Sequence, residues 1–177
     1  TSCRTAAQAG RDSRTMCDMQ IRQHPLEFRV PPPVVDAACA LLMWLLARAV
    51  PQWQLSCPDS WRWGLLLLWL AAGGGVALAG LLAFRRARTT PNPLRPQQAS
   101  ALVTGGIYRY TRNPMYLGMA LVLLGWACWL AHPLAFACIP LALAYLQRFQ
   151  IQPEERVLRA HFGSDYEAYC RRVRRWI

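Results

Sequence analysis

From Trp63 through Phe84 the chain carries no charged residue. About 20 apolar residues in a helix cover the ~30 Å of hydrocarbon in a bilayer. A helix also satisfies its own backbone groups where no water can. This stretch, residues 61–84, is therefore read as a membrane span. A buried helical bundle is the soluble alternative, but three further apolar runs argue against it, at 34–50, 115–131 and 133–150. The first is short and has Asp36 at its edge. Only His132 and Pro133 separate the last two, which predicts a tight antiparallel hairpin. The expected fold is all-α and membrane-integral, with about four transmembrane helices, a helical hairpin and an interfacial C-terminal helix.

Charge sets the orientation. The chain is 54% hydrophobic, yet its formal net charge is +11, and every basic residue is Arg. Such a balance fits nucleic acid or an anionic membrane surface; the apolar runs decide for the membrane, with no nucleic-acid partner. Arg4, Arg11, Arg14, Arg22 and Arg29 precede the first span. Arg85, Arg86, Arg88, Arg95, Arg109 and Arg112 lie between the second and third, and Arg156, Arg159, Arg171, Arg172, Arg174 and Arg175 follow the fourth. The other two connections are nearly bare. By the positive-inside bias both termini and the long middle connection face the cytoplasm, and the location is read as a bacterial inner membrane.

Residues 1–28 are polar and Arg-rich, lack the apolar core of a signal peptide, and are expected to form a disordered leader, with Met16 and Met19 as candidate starts. Residues 29–177 then form one domain ending in the tail 153–177. Pro31-Pro32-Pro33 stiffens the approach to the first span. Pro91, Pro93 and Pro96 forbid a long helix in the middle connection. Gly73, Gly74, Gly75, Gly80, Gly118 and Gly125 allow close helix approach, and this reads as packing. The seven cysteines show no metal-type pairing. Cys39, Cys128 and Cys138 read as small apolar fillers, and no metal is expected.

Two polar motifs flank the last two spans on one side of the membrane. The first runs from Gly105-Gly106-Ile107-Tyr108 through Arg112-Asn113-Pro114-Met115-Tyr116-Leu117-Gly118; the second is Pro153-Glu154-Glu155-Arg156. Carboxylates and guanidiniums at a bilayer edge are costly unless paired or lining a wet cavity, so together they mark a polar site. Asn113 and Pro114 read as N-cap and first residue of the third span, whose N-terminal amides suit a carboxylate ligand. In the tail, Leu158, Phe162, Tyr166, Tyr169 and Val173 form an amphipathic stripe, with Gly163 ending one helical piece. The stripe fits a fold over the site or a bed on anionic lipid. Simpler readings stand beside these: Glu154 and Glu155 as helix-dipole acids, Arg112 as a positive-inside anchor, Tyr108 and Tyr116 as interfacial aromatics.

The order Gly-Ile-Tyr, Arg-Asn-Pro-Met-Tyr-Leu-Gly, helical hairpin, Glu-Glu, Phe-Gly-x-x-Tyr-x-x-Tyr and a basic end resembles the isoprenylcysteine carboxyl methyltransferases, relatives of the phospholipid N-methyltransferases. The resemblance covers roughly residues 85–177. It implies an integral membrane enzyme that uses S-adenosylmethionine without a Rossmann domain and acts on a lipophilic methyl acceptor. Carried over residue by residue, the cofactor pocket would take Leu102, Val103, Tyr108, Arg112, Asn113, Pro114, Met115, Tyr116, Glu154 and Glu155. Where the prenylcysteine enzymes carry Arg-His-Pro, this chain has Arg112-Asn113-Pro114, and an asparagine cannot serve as a titrating base. A family arginine associated with the acceptor aligns near Gln150, with Arg148 close by. The acceptor is a lipid, another lipophilic small molecule or a prenylcysteine-like carboxylate. No catalytic base stands out, and His161 is the nearest candidate. Two other classes fit parts of the pattern. Sterol reductases using NADPH share an Arg-x-Pro-x-Tyr-x-Gly segment, and a non-catalytic membrane protein would use the arginines to hold anionic lipid.

Overall fold

A computed structural model describes residues 30–87 and 101–177. The expected leader and most of the proline-rich middle connection lie outside the described residues. Among the described residues every regular element is helical: α1 (Pro32–Ala49), α2 (Asp59–Arg86), α3 (Pro114–Leu130), α4 (Pro133–Leu146) and α5 (Gln152–Arg172), with a short 3-10 turn at Pro51–Trp53 and another at Gly106–Arg109. The protein is an all-α integral membrane protein. α1, α2 and the continuous helix Pro133–Arg172 are each long and apolar enough to cross a bilayer; α3 is apolar but shorter, at 17 residues.

Lipid explains the outer surface. Leu67, Leu68 and Leu141 are 62%, 59% and 68% exposed, an arrangement that water would penalise on so many leucines. Inside, Met43, Leu123, Ala127, Leu130, Ala135, Cys138 and Ala142 form a core between α1, α3 and α4. α2 lies flush against α3. A Cβ on Gly118 would stand 2.6 Å from the Gly73 carbonyl oxygen, and one on Gly73 would stand 2.5 Å from that of Gly118. Gly74 and Gly75 face open space instead, so only one glycine of that triplet serves the packing expected of all three.

Two local expectations change and a third holds. α1 begins at Pro32, so only Pro31 keeps an extended conformation (φ −56°, ψ 134°); Pro32 sits where a missing N–H costs a helix nothing. The fourth span and the tail do not separate near residue 150. A π turn, Gln147–Ile151, carries α4 directly into α5. Pro153 supplies the reason: it cannot donate to the Phe149 carbonyl, its ring would collide with it, and a widened turn relieves the clash. Further on, α5 bends at Gly163 (φ 50°, ψ −123°), the break expected there and a conformation glycine adopts without strain.

The bundle has two distinct ends. At one, the Leu55 amide donates to the Ala131 carbonyl at 2.8 Å, and buried His132 lies 3.0 Å from the Val50 carbonyl through Nε2 while Nδ1 accepts from the Leu134 amide. The two short connections meet there. The other end gathers the residues 101–113, the π turn and α5.

Candidate active site

The second end is built by three segments. The turn at 105–109 places Tyr108 under α5; Gly106 takes φ +62°, a left-handed conformation that glycine reaches freely. The start of α3 presents Asn113 through Tyr116. α5 brings Glu154 and Glu155 across from them.

Tyr116 is buried against Leu146 and Ile151, and its hydroxyl donates to Glu154 Oε2 at 3.2 Å. The two expected motifs thus touch through this bond. Burial pushes the Glu154 carboxyl up to about 7; the Tyr116 hydrogen bond pulls it down and the Glu155 charge pushes it further up. Tyr108 lies near enough that, after burial, the Glu154 charge is the next cause holding its hydroxyl above the usual phenol range. Tyr108 also packs edge-on against Phe84, with ring centroids 5.4 Å apart.

Leu102 and Val103 join the same cluster. They pack with Tyr108, Tyr166, Tyr169, Val173, Leu158 and Phe162, and the Tyr169 hydroxyl donates to the Tyr108 carbonyl at 2.8 Å. The tail's apolar stripe therefore faces protein: α5 folds over the 102–108 segment instead of lying on lipid through that face. Beside it a cleft of about 580 Å³ opens between α2 and this segment, walled by Ala79, Leu82, Ala83, Val103 and Ile107 with Arg86 at its edge.

The other expected site residues divide. Pro114 is buried at the first position of α3 and, with Met115, faces Gly80 of α2. Asn113 occupies the N-cap position, but its side chain does not cap the helix; Nδ2 donates to the Arg175 carbonyl at 3.0 Å. Glu155 is buried and committed to guanidiniums: Arg175 donates Nε to Oε1 at 2.9 Å and Nη2 to Oε2 at 2.7 Å, and Arg112 Nη1 stands 3.2 Å from Oε1. Arg112 also reaches Cys170 Sγ at 2.7 Å. Gln150 and Arg148 point differently. Gln150 is wholly buried, donates to the Val30 carbonyl at 2.7 Å, and leaves Oε1 without a partner. Arg148 is exposed, its guanidinium over the Phe149 ring at 5.7 Å. His161 is exposed and edge-on to Phe162. Among the described residues no cluster of three or more His, Cys, Asp or Glu could hold a metal ion.

Sequence reasoning missed Thr111, Arg175 and Trp176. The Thr111 hydroxyl donates to the Arg175 carbonyl at 3.3 Å, and Trp176 packs on the Tyr116 cluster. Four arginines crowd residues 171–175, and nothing in their order tells which one turns inward.

Comparison with known proteins adds chemistry to this geometry. A family model described as phospholipid methyltransferase matches residues 62–165. A probable protein-S-isoprenylcysteine O-methyltransferase of Oryza sativa subsp. indica is 36% identical over 72 residues, which is 41% of this chain and 38% of that protein. The protein-S-isoprenylcysteine O-methyltransferase of Schizosaccharomyces pombe is also 36% identical over 72 residues, spanning 30% of its length. An uncharacterized protein of Haemophilus influenzae is 40% identical over 63 residues, 36% of this chain and the whole of that protein. The chain thus aligns with well under half of each of the two named methyltransferases. No solved structure matches it.

Proposed function

This chain belongs to the phospholipid methyltransferase family, and from that premise we propose that it transfers a methyl group from S-adenosylmethionine to a lipophilic acceptor at the cytoplasmic face of the membrane. The observation that carries the reading is the Tyr116–Glu154 hydrogen bond, which joins the two motifs into one part-buried polar site. A carboxylate beside two tyrosines suits a cationic nucleoside: the carboxylate accepts from ribose or amino groups, and the ring faces attract a sulfonium.

S-adenosylmethionine supplies an electrophilic methyl group whose sulfur leaves as a neutral thioether, so no acid is needed to assist departure. The protein's work is then to place donor and acceptor in line and to exclude water. Glu154 and Tyr116 hold one side, with Tyr108, Leu102 and Val103 forming the floor. The N-terminal amides of α3 suit a carboxylate. The acceptor's apolar part uses the cleft beside α2, whose walls include Ala79, Leu82, Ala83, Val103 and Ile107. The acceptor's head group is assigned to the side of Gln150, whose buried Oε1 has no partner, and Arg148 gives the approach a positive rim. An ionised carboxylate acceptor needs no base; an amine or thiol must arrive deprotonated or lose its proton in the site.

The test is calorimetric titration of the purified protein in detergent with S-adenosylmethionine and, separately, with NADPH. Saturable binding of the first is expected. It should weaken at least about tenfold in Glu154→Ala, the order expected for losing a charge-assisted hydrogen bond. Binding of NADPH alone would replace this reading with a reductase. Binding of neither would leave a lipid-binding membrane protein.

A further inference from the structure

We propose that Arg175 is a positioning residue for the methyl-transfer site, fixing the Asn113–Tyr116 segment against Glu154. The proposal rests on the reading above and adds a residue beyond the family match, which ends at 165.

After α5 the chain turns extended at Val173 (φ −125°, ψ 132°) and crosses back over the site. Its main chain grips the turn before α3. The Arg112 amide donates to the Arg174 carbonyl at 3.1 Å, while the Thr111 hydroxyl and Asn113 Nδ2 both donate to the Arg175 carbonyl, at 3.3 and 3.0 Å. The Arg175 side chain grips the other wall, as a two-pronged fork on Glu155 at 2.9 and 2.7 Å. One residue therefore holds, through its backbone, the segment that presents Tyr116 and, through its guanidinium, the neighbour of Glu154. Trp176 extends the same clamp. It packs on the Tyr116, Leu146 and Ile151 cluster, and its Nε1 reaches Gln147 Oε1 at 3.4 Å.

The geometry needs arginine. A fork fixes distance and angle together, whereas an ammonium fixes only a distance. Arg112 closes the arrangement from the α3 side, so Glu155 is bridged between the two segments that the site requires to be in register. The neighbouring Arg171, Arg172 and Arg174 are exposed, and of these only Arg174 contributes, through its carbonyl to the Arg112 amide.

The experiment compares the full chain with Arg175→Met and Arg175→Lys, reading S-adenosylmethionine affinity by calorimetry and backbone opening by hydrogen exchange. Arg175→Met should weaken cofactor binding about tenfold or more at unchanged stoichiometry, the scale on which outer supporting residues act on a site. It should also speed exchange across 111–117 while the rest of α3 stays protected. Arg175→Lys should fall between. Wild-type affinity in Arg175→Met overturns the proposal. So does a loss confined to the number of binding-competent molecules, or faster exchange spread through α3 and α4, since either marks support of the whole fold. If the unaltered chain binds no S-adenosylmethionine, the functional reading fails on its own. Exchange at 111–117 then still judges the clamp: unchanged protection in Arg175→Met rejects it.

Discussion

Glu154 and Glu155 are adjacent in sequence and opposite in circumstance. Glu155 is neutralised by Arg112 and Arg175. Glu154 has a tyrosine hydroxyl as its partner, and burial lifts its carboxyl to about 7 against an ordinary 4.5. The sign follows directly. The folded value lies above the unfolded one, so folding favours the proton; the stability this gives is complete below 4.5 and is lost as pH rises through about 7. Cofactor binding runs the other way, because a carboxylate accepts hydrogen bonds and attracts a sulfonium better than a neutral acid does. Affinity for S-adenosylmethionine should therefore rise with pH through about 7 and level off above it, with Glu155, Tyr108 and Tyr116 as the other titratable groups close by. In Glu154→Gln this step should vanish. Titrations spanning roughly one and a half pH units either side of that midpoint would show it; a flat wild-type profile would remove Glu154 from the binding site.

At the scale of elements, much was legible. Uncharged apolar runs gave the helices because lipid leaves the backbone no other partner, and Pro114 gave the start of α3 because a proline at the first helical position forgoes no intrahelical hydrogen bond. The continuous passage from α4 into α5 was not legible, since Pro153 reads equally as a helix start and as a proline absorbed by a π turn. The inward face of the tail was half legible: its stripe was visible, but an amphipathic stripe fits lipid and protein alike until its partners Tyr108 and Val103 are in place. The role of Asn113 was misread as capping because asparagine suits both tasks, and the carbonyl of Arg175 that it meets lies 62 residues away. The glycines show the same limit, as spacing cannot tell which side of α2 faces α3. Gly118→Val should lower stability by about 1–3 kcal/mol or more, because its Cβ would strike the Gly73 carbonyl and backbone cannot step aside cheaply. Gly74→Ala, in open space, should be neutral or gain up to ~1 kcal/mol from helix propensity. Thermal unfolding in detergent separates the two, and equal losses would mean that α2 and α3 do not pack as described.

At the scale of the molecule, the two-ended bundle ties function to orientation. The short connections meet at one end through Leu55 and Ala131, and the Tyr116–Glu154 pair lies at the other. The exposed Arg85, Arg86, Arg109, Arg171, Arg172 and Arg174 share the second end, as a cytoplasmic face requires. A cofactor made in the cytoplasm can reach the site only if that end faces inward. Cys57, partly exposed in the connection between α1 and α2, reports on the opposite side. In a chain whose other cysteines are replaced, Cys57 should react with a membrane-impermeant maleimide in intact cells. Arg174→Cys in a chain lacking Cys57 should react only after permeabilisation. The reverse pattern would turn the site away from its donor, and a methyltransferase in that orientation would have nothing to transfer.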